Sequence, residues 1–188
     1  MEAGPALAKL KQGNARFVEA EKSSAKPTRA RRTETAKAQH PFAVIVGCSD
    51  ARTSPELVFD QNIGDLFVVR TAGQVVGDYE LGSVEYAVEH LGARLIVVLG
   101  HARCGAVQAV LDGYDAPGNV GEIVRQIRPG VVAVKDKNGD PLINAIKSNV
   151  DQITAQIREK ADVGALKAEV QTVGAYYDFD TGKVTWTE

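Results

Sequence analysis

The sequence lacks the features that mark membrane, secreted and nucleic-acid-binding proteins. Its 188 residues contain no run of about 18 apolar residues, the shortest stretch that spans a bilayer as a helix. The first residues do not follow the charged and then apolar order of a signal peptide. A net charge of −2 argues against a large basic surface. We therefore expect a cytoplasmic protein that binds neither nucleic acid nor membrane, or a periplasmic protein whose signal peptide has been removed.

What the sequence does contain is enough apolar material for a core. Apolar residues make up 44% of the chain, and the length suits a single folded unit. The first part is rich in charge, with an amphipathic stripe of Leu7, Leu10 and Phe17. We predict one domain over 1–188, with an N-terminal helical arm over 1–40 and an α/β core over 41–188.

Short apolar runs alternate with helical patterns through the middle of the chain. This alternation is typical of parallel βαβ units. The final residues are rich in β-branched and aromatic side chains and predict a hairpin. We expect an α/β fold with a central, mostly parallel β-sheet flanked by helices, an N-terminal helical arm and a C-terminal β-hairpin. The predicted elements are helix 6–18, an arm or connecting helix within 21–39, strand 42–47, a helical turn at 55–59, strand 66–70, helix 79–91, strand 95–100, helices 104–111, 120–127 and 141–160, and the hairpin 170–187.

Both cysteines of the chain lie just after predicted strands. The segment Cys48-Ser-Asp-Ala-Arg52 follows the first strand, and His101-Ala-Arg-Cys104 follows the third. Functional groups in open α/β sheets gather at the carboxyl ends of parallel strands, so these side chains can meet. Thiolate and imidazole are preferred zinc ligands, and three protein ligands leave one position open for catalysis. The pattern predicts a catalytic zinc site made by Cys48, His101 and Cys104.

Other interpretations of the two cysteines remain open. They could be ordinary buried thiols, or they could form a disulfide, which would leave His101 without a role. Cys104 could be a nucleophile at a helix N-terminus, although Val110 stands where a phosphatase-like loop would have arginine. A structural zinc site is disfavoured, because only His40 and His90 remain to supply a fourth ligand.

The two motifs together resemble those of the β-class carbonic anhydrases. The segments Phe67-Val-Val-Arg70 and Ser83-Val-Glu-Tyr-Ala-Val88 fall between the motifs in the order and spacing of that family. The resemblance runs from the N-terminal helix to the final hairpin. Ala51 is a departure, because the family often has serine at this position.

The resemblance implies roles for the following residues. Cys48, His101 and Cys104 would bind Zn²⁺, and Asp50 and Arg52 would form the catalytic dyad, with Arg52 holding the carboxylate away from the metal. His90, four residues after Tyr86 on one helix face, would be the proton shuttle, although the same position also suits a simple helix cap. The substrate-binding residues would be Gln39, Phe67, Ala72, Tyr86 and Gly105.

The activity implied by the resemblance is reversible hydration of carbon dioxide to bicarbonate and a proton, by attack of zinc-bound hydroxide. Two thiolates cancel the charge of the ion, so we expect a weak Lewis acid and better hydration at alkaline pH. Family members form dimers or multiples of dimers, so a homodimer or homotetramer is expected. Two alternatives are a CS₂ or COS hydrolase on the same scaffold and a non-catalytic zinc-binding module.

Overall fold

The computed structural model describes residues 1–19 and 27–187. Its sheet contains five strands in the order β2-β1-β3-β4-β5. Neighbouring strands run parallel, except that β4 and β5 form the antiparallel terminal hairpin. The mostly parallel sheet and the hairpin predicted from the sequence are both confirmed. The strands are β1 (Ala43–Cys48), β2 (Leu66–Thr71), β3 (Leu95–His101), β4 (Gln171–Tyr177) and β5 (Val184–Thr187).

Helices flank this sheet, as predicted. In the described part of the chain none of them is both long and apolar enough to cross a membrane. Two short 3₁₀ turns, Ala72–Gln74 and Gly164–Ala168, were not predicted. The α-helices are α1 (Ala3–Val18), α2 (Arg29–Thr35), α3 (Pro55–Val58), α4 (Asp78–Glu89), α5 (Gly105–Leu111), α6 (Gly118–Val132) and α7 (Pro141–Lys160).

The central strands β1 and β3 are buried along their whole length. Strands covered on both faces are expected to be continuously apolar, which explains why these two were recognisable in the sequence. On one face, α4 and α7 cover side chains such as Val44 and Ile96. On the other face, α1 and α3 cover Ile45 and Val97. Side chains of α5 and α6 form a third apolar cluster, which includes both cysteines.

The N-terminal helix packs on the sheet of its own chain. Leu10 is fully buried there, so it is not available to a neighbouring chain, whereas Phe17 stays 36% exposed. The Asn14 side chain joins the helix to two other parts of the fold. Its Nδ2 donates to the Val58 carbonyl at 3.1 Å and to the Gly182 carbonyl at 2.9 Å. Leu10 of the amphipathic stripe therefore packs within its own chain.

The charged arm contains helix α2, and its residues 21–26 lie outside the described part of the chain. Arg31 of α2 donates from Nε to the Ile63 carbonyl at 2.8 Å and from Nη2 to Asp65 at 2.9 Å. These contacts attach α2 to the loop that precedes β2. The sequence predicted an arm or a connecting helix within 21–39. The structure shows a connecting helix over 29–35.

Helix α6 is longer than its sequence pattern indicated. The prediction covered 120–127 and stopped before Pro129, which lacks the backbone N–H that a helix interior uses. The helix nevertheless continues to Val132. Its far end lies against α7, where a Cβ at Gly130 would be only 3.1 Å from the Asn149 Cα. Close packing between α6 and α7 therefore outweighs the missing hydrogen bond.

Candidate metal centre

The carboxyl ends of β1 and β3 lie side by side in the middle of the sheet. The chain leaves β1 for β2 at one edge of the sheet and leaves β3 for β4 on the opposite side, so the sheet order reverses between β1 and β3. Open α/β sheets place functional groups at such a point. Cys48 is the last residue of β1, His101 is the last of β3, and Cys104 is the N-cap of α5. Their two Sγ atoms and one imidazole nitrogen all lie within 4.8 Å of one another. We call these three residues the donor cluster.

The imidazole of His101 is prepared to bind a metal ion. Its Nδ1 lies 2.9 Å from the Ala102 carbonyl oxygen, and because a carbonyl only accepts, Nδ1 carries the proton. Nε2 is then a lone-pair donor on a fully buried side chain, with no hydrogen-bond partner among the described residues. A buried, unpaired acceptor is costly unless something binds it. Metal-binding histidines are typically oriented by this kind of contact at the second nitrogen.

The two cysteines are free and buried, and their Sγ atoms lie within 4.8 Å of each other. The Cys104 thiol donates to Cys48 and lowers the pKa of Cys48, and the Gly73 N–H acts in the same direction against the effect of burial. The same thiol–thiol bond and burial raise the pKa of Cys104. One proton is therefore shared between two sulfurs, and a cation placed between them would replace it.

The donor set fits zinc better than a hard cation. Sulfur and imidazole nitrogen suit zinc and other borderline or soft metals, whereas magnesium and calcium require oxygen ligands. Three protein donors leave the fourth tetrahedral position open, which is the arrangement of catalytic rather than structural zinc sites. All three donors are buried, so the ion would lie where electrostatic interactions are strong.

Asp50 and Arg52 form an ion pair beside the donor cluster. Arg52 donates from Nε to Oδ1 at 2.9 Å and from Nη2 to Oδ2 at 2.7 Å, and its backbone N–H also bonds Oδ1. These bonds hold the pKa of the Asp50 carboxyl well below its usual range, so the group is a carboxylate. Its Oδ2 lies 3.9 Å from His101 Nε2. Arg52 thus fixes an ionised acceptor at the edge of the donor cluster.

Two residues without a predicted role hold the loop that follows β1. Arg70 donates from Nε to the Cys48 carbonyl at 3.0 Å and from Nη2 to the Asp50 carbonyl at 2.8 Å. The Thr53 hydroxyl lies within hydrogen-bond distance of the same two carbonyls. Arg70 is the charged residue of the otherwise largely apolar strand β2. This contrast is the sequence feature that could have marked Arg70 as part of the site.

Comparison with known proteins agrees with this geometry. The family model described as "Carbonic anhydrase" matches residues 43–184, which include the donor cluster and the ion pair. A carbonic anhydrase of Mycolicibacterium smegmatis is 40% identical over 182 residues, covering 93% of this chain and 88% of that protein. The β-carbonic anhydrase CafA of Aspergillus fumigatus is 26% identical, with a TM-score of 0.75 over 98% of this chain and 90% of that one. This chain belongs to the β-carbonic anhydrase family.

A further solved member of the β-carbonic anhydrase family shares the fold. It is one of two tetrameric β-carbonic anhydrases from Sordaria macrospora, 23% identical to this chain. Its TM-score is 0.76, over 82% of this chain and 84% of that one. At this level of identity the likeness concerns the fold alone.

Two of the remaining residues suggested by the family resemblance lie beside the donor cluster. Ala72 begins the 3₁₀ turn in which the Gly73 N–H donates to Cys48 Sγ at 3.3 Å. Gly105 directly follows Cys104 and is the first residue of α5. Both residues therefore lie next to a member of the donor cluster or to a residue that contacts one.

The other suggested residues lie elsewhere. The Tyr86 ring is 6.3 Å from the Phe67 ring and 5.2 Å from the ring of His90, which is the C-cap of α4. Phe67 lies near the start of β2, roughly 13 Å along the strand from the partner of Cys48. Gln39 is exposed between α2 and β1. Within one chain, these four side chains are not brought to the donor cluster.

Phe179 is a side chain of the site that the sequence patterns did not mark. It lies in the turn of the terminal hairpin, with its ring 5.2 Å from the His101 ring. The guanidinium groups of Arg52 and Arg103 lie 4.5 Å and 5.5 Å from the same ring. Phe179 therefore gives Arg52 a cation–π contact in addition to its hydrogen bonds to Asp50 and to the Arg103 carbonyl. The only sequence feature that could have marked Phe179 is its position between two acidic residues, Asp178 and Asp180.

Proposed function

We propose that this chain catalyses the zinc-dependent, reversible hydration of carbon dioxide to bicarbonate and a proton. The observation that carries the proposal is the pairing of the donor cluster with the ionised Asp50–Arg52 pair at one edge of the sheet. A purely structural metal site has no need for an oriented carboxylate beside it. Membership of the β-carbonic anhydrase family supports the same activity.

Cys48, His101 and Cys104 would hold the zinc ion. When bound, zinc supplies the Lewis acidity that lets water act as a nucleophile near neutral pH. Burial of the three side chains keeps bulk water away from the donors, and the bond from Nδ1 of His101 to the Ala102 carbonyl fixes the imidazole.

Asp50 would orient the attacking water. An ionised carboxylate accepts hydrogen bonds only, so it would hold the proton of the nucleophile and direct the oxygen lone pair at the substrate carbon. Arg52 binds both carboxylate oxygens and so keeps them turned to itself rather than to the metal position. Ala72 and Gly105 would border the substrate.

We also infer a homodimer or homotetramer of a single-domain chain, with residues 1–40 as its arm. Gln39, Phe67 and Tyr86 would then line the carbon dioxide pocket of a neighbouring chain, and His90 would carry protons there. Their distance from the donor cluster of their own chain and the 47% exposure of Tyr86 support this arrangement. Light scattering should give the mass of two or four chains. A fully active monomer would contradict the arrangement.

The rate of hydration should rise with pH because of the metal site, and not because Asp50 titrates. Arg52 keeps the pKa of this carboxyl below its usual value of 3.8, so it is ionised throughout pH 5–9. Two thiolates weaken the acidity that zinc confers on water, which moves the active form to alkaline pH. We expect kcat/KM for hydration to increase from pH 6 to pH 9 in a stopped-flow assay. A profile that stays flat down to pH 6 would be inconsistent with this account.

Replacing Phe179 with leucine should slow hydration moderately. The substitution keeps apolar bulk near His101 but removes the aromatic face on which the Arg52 guanidinium lies. An exposed cation–π contact contributes about 0.5–1 kcal/mol, so kcat/KM should fall about 2- to 5-fold with zinc content unchanged. Stopped-flow hydration of zinc-quantified protein measures this. A rate equal to that of the wild type would show that the Phe179 ring does not help to hold Arg52.

The alternatives are separated by comparing substrates on the same preparation. Protein with one zinc per chain should hydrate CO₂ rapidly and turn over CS₂ and COS slowly. Fast CS₂ or COS turnover without CO₂ hydration would indicate the hydrolase. Full zinc occupancy with no turnover of any of the three would indicate a non-catalytic zinc-binding module.

A further inference from the structure

A tight turn behind the donor cluster supplies one of the contacts to its sulfur atoms. In the 3₁₀ turn Ala72–Gln74, Gly73 and Gln74 both have left-handed backbone conformations, with φ values of 69° and 48°. This shape directs the Gly73 N–H at Cys48 Sγ, 3.3 Å away. A Cβ at Gly73 would lie 2.6 Å from the Ile127 side chain, so only glycine fits. The N–H···S contact therefore depends on the turn keeping an unusual conformation.

One side chain from a distant helix holds this turn. Asn149 of α7 donates from Nδ2 to the Gly73 carbonyl at 3.0 Å and is fully buried. Its Oδ1 has no hydrogen-bond partner among the described residues. Burying half of an amide unpaired is unfavourable, and an apolar side chain of similar size would avoid that cost. The stabilising contact of Asn149 is therefore the hydrogen bond that its Nδ2 donates, and not one made by its Oδ1.

We infer that Asn149 is a positioning residue for the metal ligand Cys48, acting through Gly73. The Asn149 amide fixes the Gly73 carbonyl, and the same glycine then presents its N–H to the sulfur. The inference rests on the proposed zinc site, because its effect is exerted on a metal-bound thiolate. It assigns a function to a residue that is 101 positions from Cys48 and belongs neither to the donor cluster nor to the Asp50–Arg52 pair.

The expected consequence is electronic as well as geometric. An N–H group that donates to a thiolate withdraws charge from the sulfur and so reduces its donation to the metal. Without Asn149 the turn is free to rotate the N–H away, which makes the sulfur more electron-rich. Partners of this kind, one shell beyond the ligands, typically change metal affinity or activity about 10- to 100-fold.

The test uses the full chain loaded with Co²⁺, whose charge-transfer absorption from thiolate sulfur reports the state of the Cys48–metal bond. We expect Asn149→Leu to shift this band to longer wavelength. Zinc-loaded Asn149→Leu should also release zinc to a chelator about 10-fold faster than the wild type, because the freed turn no longer holds Cys48 in position and this geometric effect outweighs the stronger donation from sulfur. The matched control is Thr154→Val, also buried on α7, whose hydroxyl bonds only the Val150 carbonyl of its own helix. That variant should lose some thermal stability but keep both metal readouts.

Each outcome distinguishes this inference from the proposed function. A wild-type protein that shows no thiolate–cobalt band contradicts the metal site itself. A normal wild-type band that is unshifted in Asn149→Leu, with equal zinc release, overturns the positioning role and leaves Asn149 as a packing residue. If Asn149→Leu does not fold, Asn149→Ala removes the same donor without overfilling the space, and the same two readouts decide.

Discussion

A Cys48→Ala variant is expected to lose both zinc and hydration of carbon dioxide. Cys48 is the only donor that β1 contributes, and its sulfur lies within 4.8 Å of the other two donor atoms. Without it, two protein ligands remain, which is fewer than the three that catalytic zinc sites typically use. We expect zinc content below about one-tenth of the wild-type value and a rate reduced at least about 1000-fold. Elemental analysis and stopped-flow hydration measure the two effects on one sample.

The control for this variant is the adjacent exposed residue. Ser49→Ala changes the next position along the same segment but removes no donor, so it should keep zinc and activity. Cys48→Ala protein that retained one zinc per chain would contradict the assignment of Cys48 as a ligand. Loss of folding in Cys48→Ala, detected as lost helical signal in circular dichroism, would be resolved with Cys48→Ser, which keeps a similar volume.

An Asp50→Asn variant is expected to keep zinc and lose most of its turnover. The amide has nearly the same shape but carries no charge, so it binds Arg52 weakly and is a poorer acceptor for the proton of the nucleophile. Side chains that position or transfer protons typically contribute 100- to 10,000-fold to the rate. We expect a fall in kcat in that range, of about 100-fold or more, at unchanged zinc content.

A second carboxylate in the same region provides the comparison. Asp180 pairs with Arg103 at 2.8 Å, but its side chain is 72% exposed. An exposed pair of this kind contributes little, so Asp180→Asn should change the rate less than about 2-fold. If Asp50→Asn instead lost zinc in proportion to activity, Asp50 would be a metal ligand rather than an orienting group.

The sheet and the donor cluster could be predicted because their signals are local. β1 and β3 are buried on both faces, so their apolar runs stand out, and parallel strands bring their carboxyl ends together. Cys48 and His101 lie at the ends of these runs, and Cys104 is three residues further on. The ligand chemistry could therefore be read from residue types and their placement after strands. The start of α7 at 141 was likewise predicted, and there the side chain of the N-cap residue Asp140 accepts from the Ile143 N–H.

The surroundings of the cluster could not be predicted, because they depend on contacts between distant parts of the chain. Asn149 meets Gly73 only because the fold packs α7 beside the turn that follows β2. Phe179 reaches Arg52 only because the hairpin turns back over the donor cluster. Neither residue has a spacing or motif that marks it. Helix α6 shows the same limit, since its packing against α7 carries it past a proline.

The most direct test of the zinc-dependent hydration is a titration of activity against bound metal. Metal-free full-length protein would receive increasing amounts of zinc, with CO₂ hydration at pH 9 measured at each step by stopped flow. We predict negligible activity without zinc and a rate that rises in proportion to bound zinc until one ion per chain is present. Hydration that is independent of zinc, or absent at full occupancy, would contradict the account.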